Sequence, residues 1–422
     1  MQSGLPRPRP RLNIWVVLAA SFATFAIAAG MMQSYTVFLV SFIQVFAWSR
    51  AESSVAYSVS QLVNGLSSPL VGALVDRLGS RRLVLLGGTL LTLGLIGSAY
   101  ASALWHVILL YGVVMTIGAN CLGMVVFAPL ISRHFVRRRG MAVSVLQSAN
   151  GAGRAISAPG AQLLISGFGW RGAYLAEGAL MGLLVLPLAM LFRGADRPAT
   201  DIAPPSPVAG TVTGPMAAPT AVAEPRQNWT LGEAMRTRQF WLLFIVYLCT
   251  GLGSFLVSLH QLAFAVDQGF DRLYAAGVLG MGSFLAIPGI ILTGTSSDYI
   301  GRELSAIIAY GVSILGVVFA LFITGPGDTW LLWLHACFFG LTWGARGPTI
   351  TAKTADLFPG PRLGTILGVI TVGTGIGSAV GAWAAGWVFD VTGSYHVAFG
   401  LSIAAYATGC VAFWALRGPP RA

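Results

Sequence analysis

Twelve long, mostly apolar stretches follow one another along this chain, and very few folds accommodate that pattern. They run roughly over 13–42, 52–75, 82–101, 104–131, 140–166, 171–193, 240–267, 272–296, 303–324, 329–353, 362–388 and 394–416. About 20 apolar residues cross the hydrocarbon of a bilayer as a helix. In lipid each backbone N–H and C=O must be satisfied within its own segment, so stretches of this length read as helices. The predicted fold class is an all-α membrane protein with twelve transmembrane helices in two pseudo-symmetric six-helix bundles. Charge agrees with this. Only 9% of residues are charged, against roughly 25% in soluble domains, too few to cover the surface of a soluble 422-residue fold. The 53 glycines suit helices that pack closely without a hydrophobic drive between them.

The net charge of +11 raises the question of nucleic acid, and the placement of the charges answers it. Basic residues sit in short clusters between apolar stretches, such as Arg81-Arg82 and Arg137-Arg138-Arg139. That is the positive-inside pattern of a membrane protein, with no soluble basic face for nucleic acid. With a cytoplasmic N-terminus, 20 of 25 basic residues fall in cytoplasmic segments. Arg50, Arg171 and Arg272 fall outside, and Arg154 and Arg346 fall within spans. A multi-pass protein of the cell inner (cytoplasmic) membrane is predicted, with both termini cytoplasmic. The first apolar run, from about Asn13 to Phe46, is too long for a signal-peptide core and reads as an uncleaved span. Cys121, Cys249, Cys337 and Cys410 are scattered through apolar stretches and suggest neither disulfides nor a metal site.

Residues 195–228 are rich in Pro, Ala, Thr and Ser, a composition that cannot offset the entropy of ordering. Three regions follow: a six-helix bundle over 1–194, a cytoplasmic linker over 195–237 and a second six-helix bundle over 238–422. The halves echo each other. Gly72, Asp76 and Gly79 recur 222 positions on as Gly294, Asp298 and Gly301, and Gly169 recurs 224 positions on as Gly393. Such internal repeats are common in transporters.

The loop Gly72-Ala73-Leu74-Val75-Asp76-Arg77-Leu78-Gly79-Ser80-Arg81-Arg82 resembles the cytoplasmic signature of the major facilitator superfamily. A weaker copy holds Gly294, Asp298, Gly301 and Arg302. The resemblance covers essentially the whole chain. It implies gating contacts at Gly72, Asp76, Arg77, Gly79, Arg81, Asp298 and Arg302. Gly72 is expected to permit close helix approach and Gly79 a tight turn. The other reading of Arg81 and Arg82 is topological, as charges that hold the loop inside. Trp48-Ser49-Arg50-Ala51-Glu52, Arg138-Arg139-Gly140-Met141-Ala142 and Gly169-Trp170-Arg171-Gly172-Ala173-Tyr174 resemble the monocarboxylate/oxalate porter branch. So do Ala345-Arg346-Gly347-Pro348 and Asp356-Leu357-Phe358. Members of that branch often carry an Arg within span eight, where this chain has only Arg272, at the start.

Charges inside spans are costly and mark function. Arg154 lies mid-span in span five, with Gln147, Asn150 and Gly151 on its helical face. The stripe suits an anion cavity, or an Arg locked to a buried acid. In span ten, His335, Thr342, Arg346, Thr349 and Lys353 share a face. Arg346 is expected on the cavity and Lys353 at the interface. An anion held between Arg154 and Arg346 would bridge the halves at the midplane, since guanidinium matches carboxylate bidentately. Asn120 reads equally as a carboxylate donor or as helix–helix glue. Gln33 and Tyr35 are cavity candidates. His260 reads as packing or as a ligand, and Glu177 as a structural ion pair or a titrating group. The Trp residues near span ends read as interfacial belts. No Walker loop, metal-ligand cluster or catalytic constellation occurs, so no cofactor and no enzyme activity are expected. The predicted function is a secondary active transporter that moves a small organic anion, a mono- or dicarboxylate, by alternating access. Proton symport or exchange for a counter-anion would drive it, and the lipid bilayer is its other partner. Efflux of a drug-like compound and a non-transporting membrane sensor are the rival readings.

Overall fold

The structure is a computed structural model that describes residues 14–135, 139–192, 229–359 and 362–416. Among these residues there is no strand, and nine helical segments are long and apolar enough to cross a membrane. One of them, Val145–Leu191, holds two spans. Gly153 lies against Gly30, while Glu177 is hydrogen-bonded to Ser34, one helical turn further along span one. A continuous helix would separate positions 153 and 177 by about 36 Å. The chain therefore reverses at Gly169, whose φ is 69°. Two further helical stretches, Arg50–Leu78 and 329–357, complete twelve. The first is studded with Ser and charged residues, and the second is broken. The spans are Ile14–Phe46, Arg50–Leu78, Ser80–Ala99, Leu104–Ile131, 139–168, 170–191, Arg238–Asp267, Arg272–Tyr299, Arg302–Leu321, 329–357, Leu363–Thr392 and His396–Trp414.

Successive spans alternate in direction. One face, the linker face, carries Ile14, Phe192, Trp229, Leu416 and the turns at Gly79 and Gly301. The opposite, far face carries the loops at 47–49, 100–103, 169, 268–271, 322–328 and 393–395. The sequence repeat reappears in the backbone. Gly79 and Gly301 have φ of 81° and 88°, and Gly169 and Gly393 have φ of 69° and 68°. Only glycine adopts this left-handed region freely. Gly72 behaves otherwise than expected: an added Cβ would meet Val125 Cγ1 at an ordinary 3.8 Å. Close approach occurs instead at Gly153, whose Cβ would fall on the Ala26 carbonyl, and at Gly377, whose Cβ would fall on the Leu248 carbonyl. These contacts seal span one to span five and span seven to span eleven.

Three spans are irregular. Span one breaks at Ser34. Span four contains a π-helical stretch, Ile108–Met115, followed by a turn at 121–123. Span ten breaks over 342–345, where Gly344 has φ of 74°. The halves meet through spans two and eleven and through spans five and eight. Residues 195–228 of the expected linker, the N-terminal arginines and Arg137-Arg138 lie outside the described residues. The last part of that linker, beyond the Pro-rich stretch, is ordered. Leu231–Met235 is helical behind a Thr230–Glu233 capping box, and Trp229 meets Phe358 edge-on at 5.4 Å. Trp15, Trp105, Trp330 and Trp414 are exposed near span ends, as interfacial belts require.

Candidate functional site

Arg154 is 9% exposed at the middle of the protein. With the Gln33 amide oxygen turned toward it, that oxygen accepts from Nε, Nη1 and Nη2 at 3.3, 3.2 and 3.1 Å. The Gln33 amide nitrogen then donates to Tyr57 Oη at 3.1 Å. On its other side the guanidinium stacks on Trp343, 3.9 Å from the ring centre. Among the described residues no carboxylate pairs with it. The break at Ser34 aims Gln33 at Arg154, and the break over 342–345 carries Trp343 from span ten across to span five.

A cavity of about 410 Å³ opens beside this group. Arg154, Gln33, Tyr57, Asn64, Asn120 and Asn150 give it polar walls, and Phe255 and Trp343 come from the second half. A volume of this order holds a small ligand. The π-helical stretch shapes one wall: Thr116 Oγ1 donates back to Tyr111 O at 2.9 Å, five residues earlier, and both line the cavity. A second void of about 20 Å³ touches Arg154 on its far-face side, between Thr36, Ser157, Gln261 and Ser283. That is room for about one water.

The structure gathers Arg154, Gln33, Asn120 and Asn150 at this cavity. Asn120 serves both of its readings, since Nδ2 also donates to Ser67 Oγ at 2.7 Å and to Asn64 O at 3.0 Å. Gln147 is half-buried and off the cavity wall. Tyr35 is buried, donates to Ser53 O at 2.6 Å and stacks on Tyr111 at 4.1 Å. His260 contacts Ser54 Oγ, Tyr395 Oη and Ala382 O at 3.1, 3.2 and 3.0 Å, toward the far face.

Arg346 departs most from expectation. It is absent from the cavity wall, so the two arginines do not face each other across a shared chamber. It is 3% exposed and donates to Ser313 Oγ at 2.5 Å and Ala309 O at 3.3 Å. It stacks on Tyr310 at 4.9 Å and Tyr406 at 4.7 Å, between spans nine and twelve. The break in span ten is the reason: it rotates the segment that starts at Arg346 away from the register of the preceding turns.

Of the gating candidates, Arg302 pairs with Asp356 at 2.6 Å, and beside it Lys353 pairs with Glu303 at 2.5 Å. Arg77 is exposed, and Arg81 Nε is buried without a hydrogen-bond partner among the described residues. The side chains of Asp76 and Asp298 lie outside the described residues.

In the sequence Arg50 stands in the porter-like motif and as an exception to the charge bias, with no partner to be read for it. In the structure Arg50 anchors the closed far face. Its Nη2 pairs with Asp267 at 2.7 Å, its Nη1 donates to Tyr395 Oη at 2.6 Å, and its guanidinium lies 3.9 Å over Phe389. Asp390 accepts from the Arg50 and Ala51 backbone N–H groups, each at 2.8 Å, so span eleven caps the N-terminus of span two. Ser58 Oγ donates to Ala379 O at 2.7 Å. Every hydrogen bond between the halves among the described residues comes from Arg50, Ala51, Ser54 or Ser58, at the far-face end of span two.

The sequence profile of the Major Facilitator Superfamily matches residues 17–372. Monocarboxylate transporter 13 of Rattus norvegicus is 28% identical over 389 residues, covering 91% of this chain and 84% of that protein. Monocarboxylate transporter 11 of Homo sapiens is 29% identical, covering 92% and 79%. Two solved structures share the fold at 14% identity. A bacterial homologue of the human lysosomal transporter Spinster has a TM-score of 0.69 and covers 96% of this chain and 99% of that one. A point mutant of the nucleoside transporter NupG has a TM-score of 0.71 and covers 96% and 100%.

Proposed function

The chain belongs to the Major Facilitator Superfamily, and on that premise we propose that it carries a small monocarboxylate across the cytoplasmic membrane by alternating access. The observation that carries this reading is Arg154, a buried cation with no acid partner among the described residues, on the wall of a ligand-sized cavity. A charge at mid-membrane costs at least about 2.5–3.5 kcal/mol unless something compensates it. Gln33 supplies only a neutral amide oxygen. An incoming carboxylate displaces that amide and takes two parallel N–H donors from the guanidinium. Asn150 and Tyr57 stand on the same wall. Trp343, from the other half, holds the opposite face of the guanidinium, so occupancy on span five is felt on span ten.

The linker face is cytoplasmic in this reading, which the bias of basic residues supports. The Arg50 contacts hold the far face shut while the cavity communicates with the cytoplasm. Their release, together with closure on the linker face, exposes the site to the other side. Transport runs by proton symport or by exchange for a counter-anion. Uptake of labelled lactate into proteoliposomes tests the proposal. Wild-type protein should give saturable uptake, and Arg154→Gln should abolish it while the variant remains monodisperse. Wild-type rates in that variant would remove the anion site.

A further inference from the structure

We infer that Glu177 carries the proton that travels with the anion, an inference that rests on the carrier reading above. Glu177 lies in span six, 8% exposed, and no Arg, Lys or His pairs with it among the described residues. Its partner is Ser34 Oγ, at 3.2 Å. That same oxygen lies 2.7 Å from Met31 O. A serine hydroxyl has one hydrogen, which Ser34 divides between Met31 O and Glu177. That leaves a charged carboxyl in lipid poorly held, and Glu177 is assigned the acid form. The titratable neighbour is Tyr174 on its own helix, and Tyr35 on span one and Tyr111 on span four lie next to Tyr174; all three are buried. Arg171, toward the far face, is occupied by Ala99 O at 3.1 Å and Ala101 O at 3.4 Å.

The position links this acid to the anion site. Gln33, which grips Arg154, and Ser34, which touches Glu177, are consecutive residues in the break of span one. An anion that displaces Gln33 moves the same turn that holds the carboxyl. Charge acts in the same sense. A carboxylate at 177 would stand on the order of 10 Å from the bound anion and weaken it on the order of tenfold. Anion and proton therefore bind together. Far-face water loads the carboxyl, the proton crosses with the anion, and the carboxyl returns the proton to linker-face water after the anion leaves. The resulting carboxylate accepts from Tyr174 Oη, which is buried one turn away without a hydrogen-bond partner among the described residues. One proton and one anion cross per cycle, with no net charge moved.

The test is Glu177→Gln in proteoliposomes, which keeps the size and a donor to Ser34. Lactate–lactate exchange should persist, while accumulation driven by an imposed pH gradient should fall to the exchange level. Gradient-driven accumulation equal to wild type overturns the inference. Infrared spectroscopy of the purified full-length protein needs no cargo. Wild type should show the C=O stretch of a buried protonated carboxyl at neutral pH, and the variant should lack it. A wild-type spectrum without that band overturns the inference. If wild type moves no monocarboxylate, the carrier reading falls, and the infrared band alone decides whether Glu177 holds a proton.

Discussion

Arg50→Ala should unlatch the far face, and the structure sets the size of the effect. The pair with Asp267 is partly buried, at 12% and 32% side-chain exposure. After discounting for solvent it is worth about 1 kcal/mol. The bond to Tyr395 Oη is charge-assisted and contributes about 1.5 kcal/mol. Stacking on Phe389 adds about 0.5–1 kcal/mol. One guanidinium makes all three contacts, so a joint value of about 2–3 kcal/mol is appropriate, a shift of roughly 30- to 150-fold toward the far-open state. The assay uses protein in which Cys121, Cys249, Cys337 and Cys410 are replaced and Ser58→Cys reports the interface. A membrane-impermeant maleimide added on the far-face side labels only molecules open on that side. Its rate should rise by about one to two orders of magnitude in the Arg50→Ala background. An unchanged rate would mean that these contacts do not hold the face closed.

Three other perturbations separate the parts of the account. Asp390→Asn weakens the cap on span two by about 1 kcal/mol, so labelling at the same position should rise about fivefold, less than for Arg50→Ala. Trp343→Leu removes the stacking platform of Arg154 and should weaken lactate binding by roughly 2- to 5-fold, read as a higher Kd with normal unfolding temperature. Gly153→Val forces a side chain onto the Ala26 carbonyl and should prevent spans one and five from closing. Aggregated material on size exclusion is the expected outcome, and a monodisperse variant of wild-type stability contradicts that packing.

How much the sequence disclosed follows from which interactions are local. Span length is set by bilayer thickness, so the spans were legible, including the fold-back at Gly169 inside an unbroken helical run. Gly79 and Gly301, and Gly169 and Gly393, announced themselves because a left-handed turn restricts the residue type. Arg154 was legible because a charge in lipid has few tolerable environments. What stayed hidden depends on breaks in helices. Counting turns across 342–345 put Arg346 on the cavity, but the break rotates it onto Ser313, Tyr310 and Tyr406. The π-helical stretch that shapes the wall at Tyr111 and Thr116 has no composition of its own. Arg50 escaped because its partners Asp267, Asp390 and Tyr395 are more than 200 residues away, and pairing at that distance is a property of the fold.

The central claim is that Arg154 is the anion's anchor, and equilibrium binding tests it most directly. Titration calorimetry of purified protein with lactate compares wild type, Arg154→Gln, Arg154→Lys and Arg346→Leu. A charge-assisted bidentate contact is worth about 1.5–3 kcal/mol or more. Arg154→Gln should therefore weaken binding by at least about tenfold, with Arg154→Lys in between. Arg346→Leu should lower the unfolding temperature and leave affinity near wild type. Full affinity in Arg154→Gln, or loss of affinity in Arg346→Leu without loss of stability, would contradict the account.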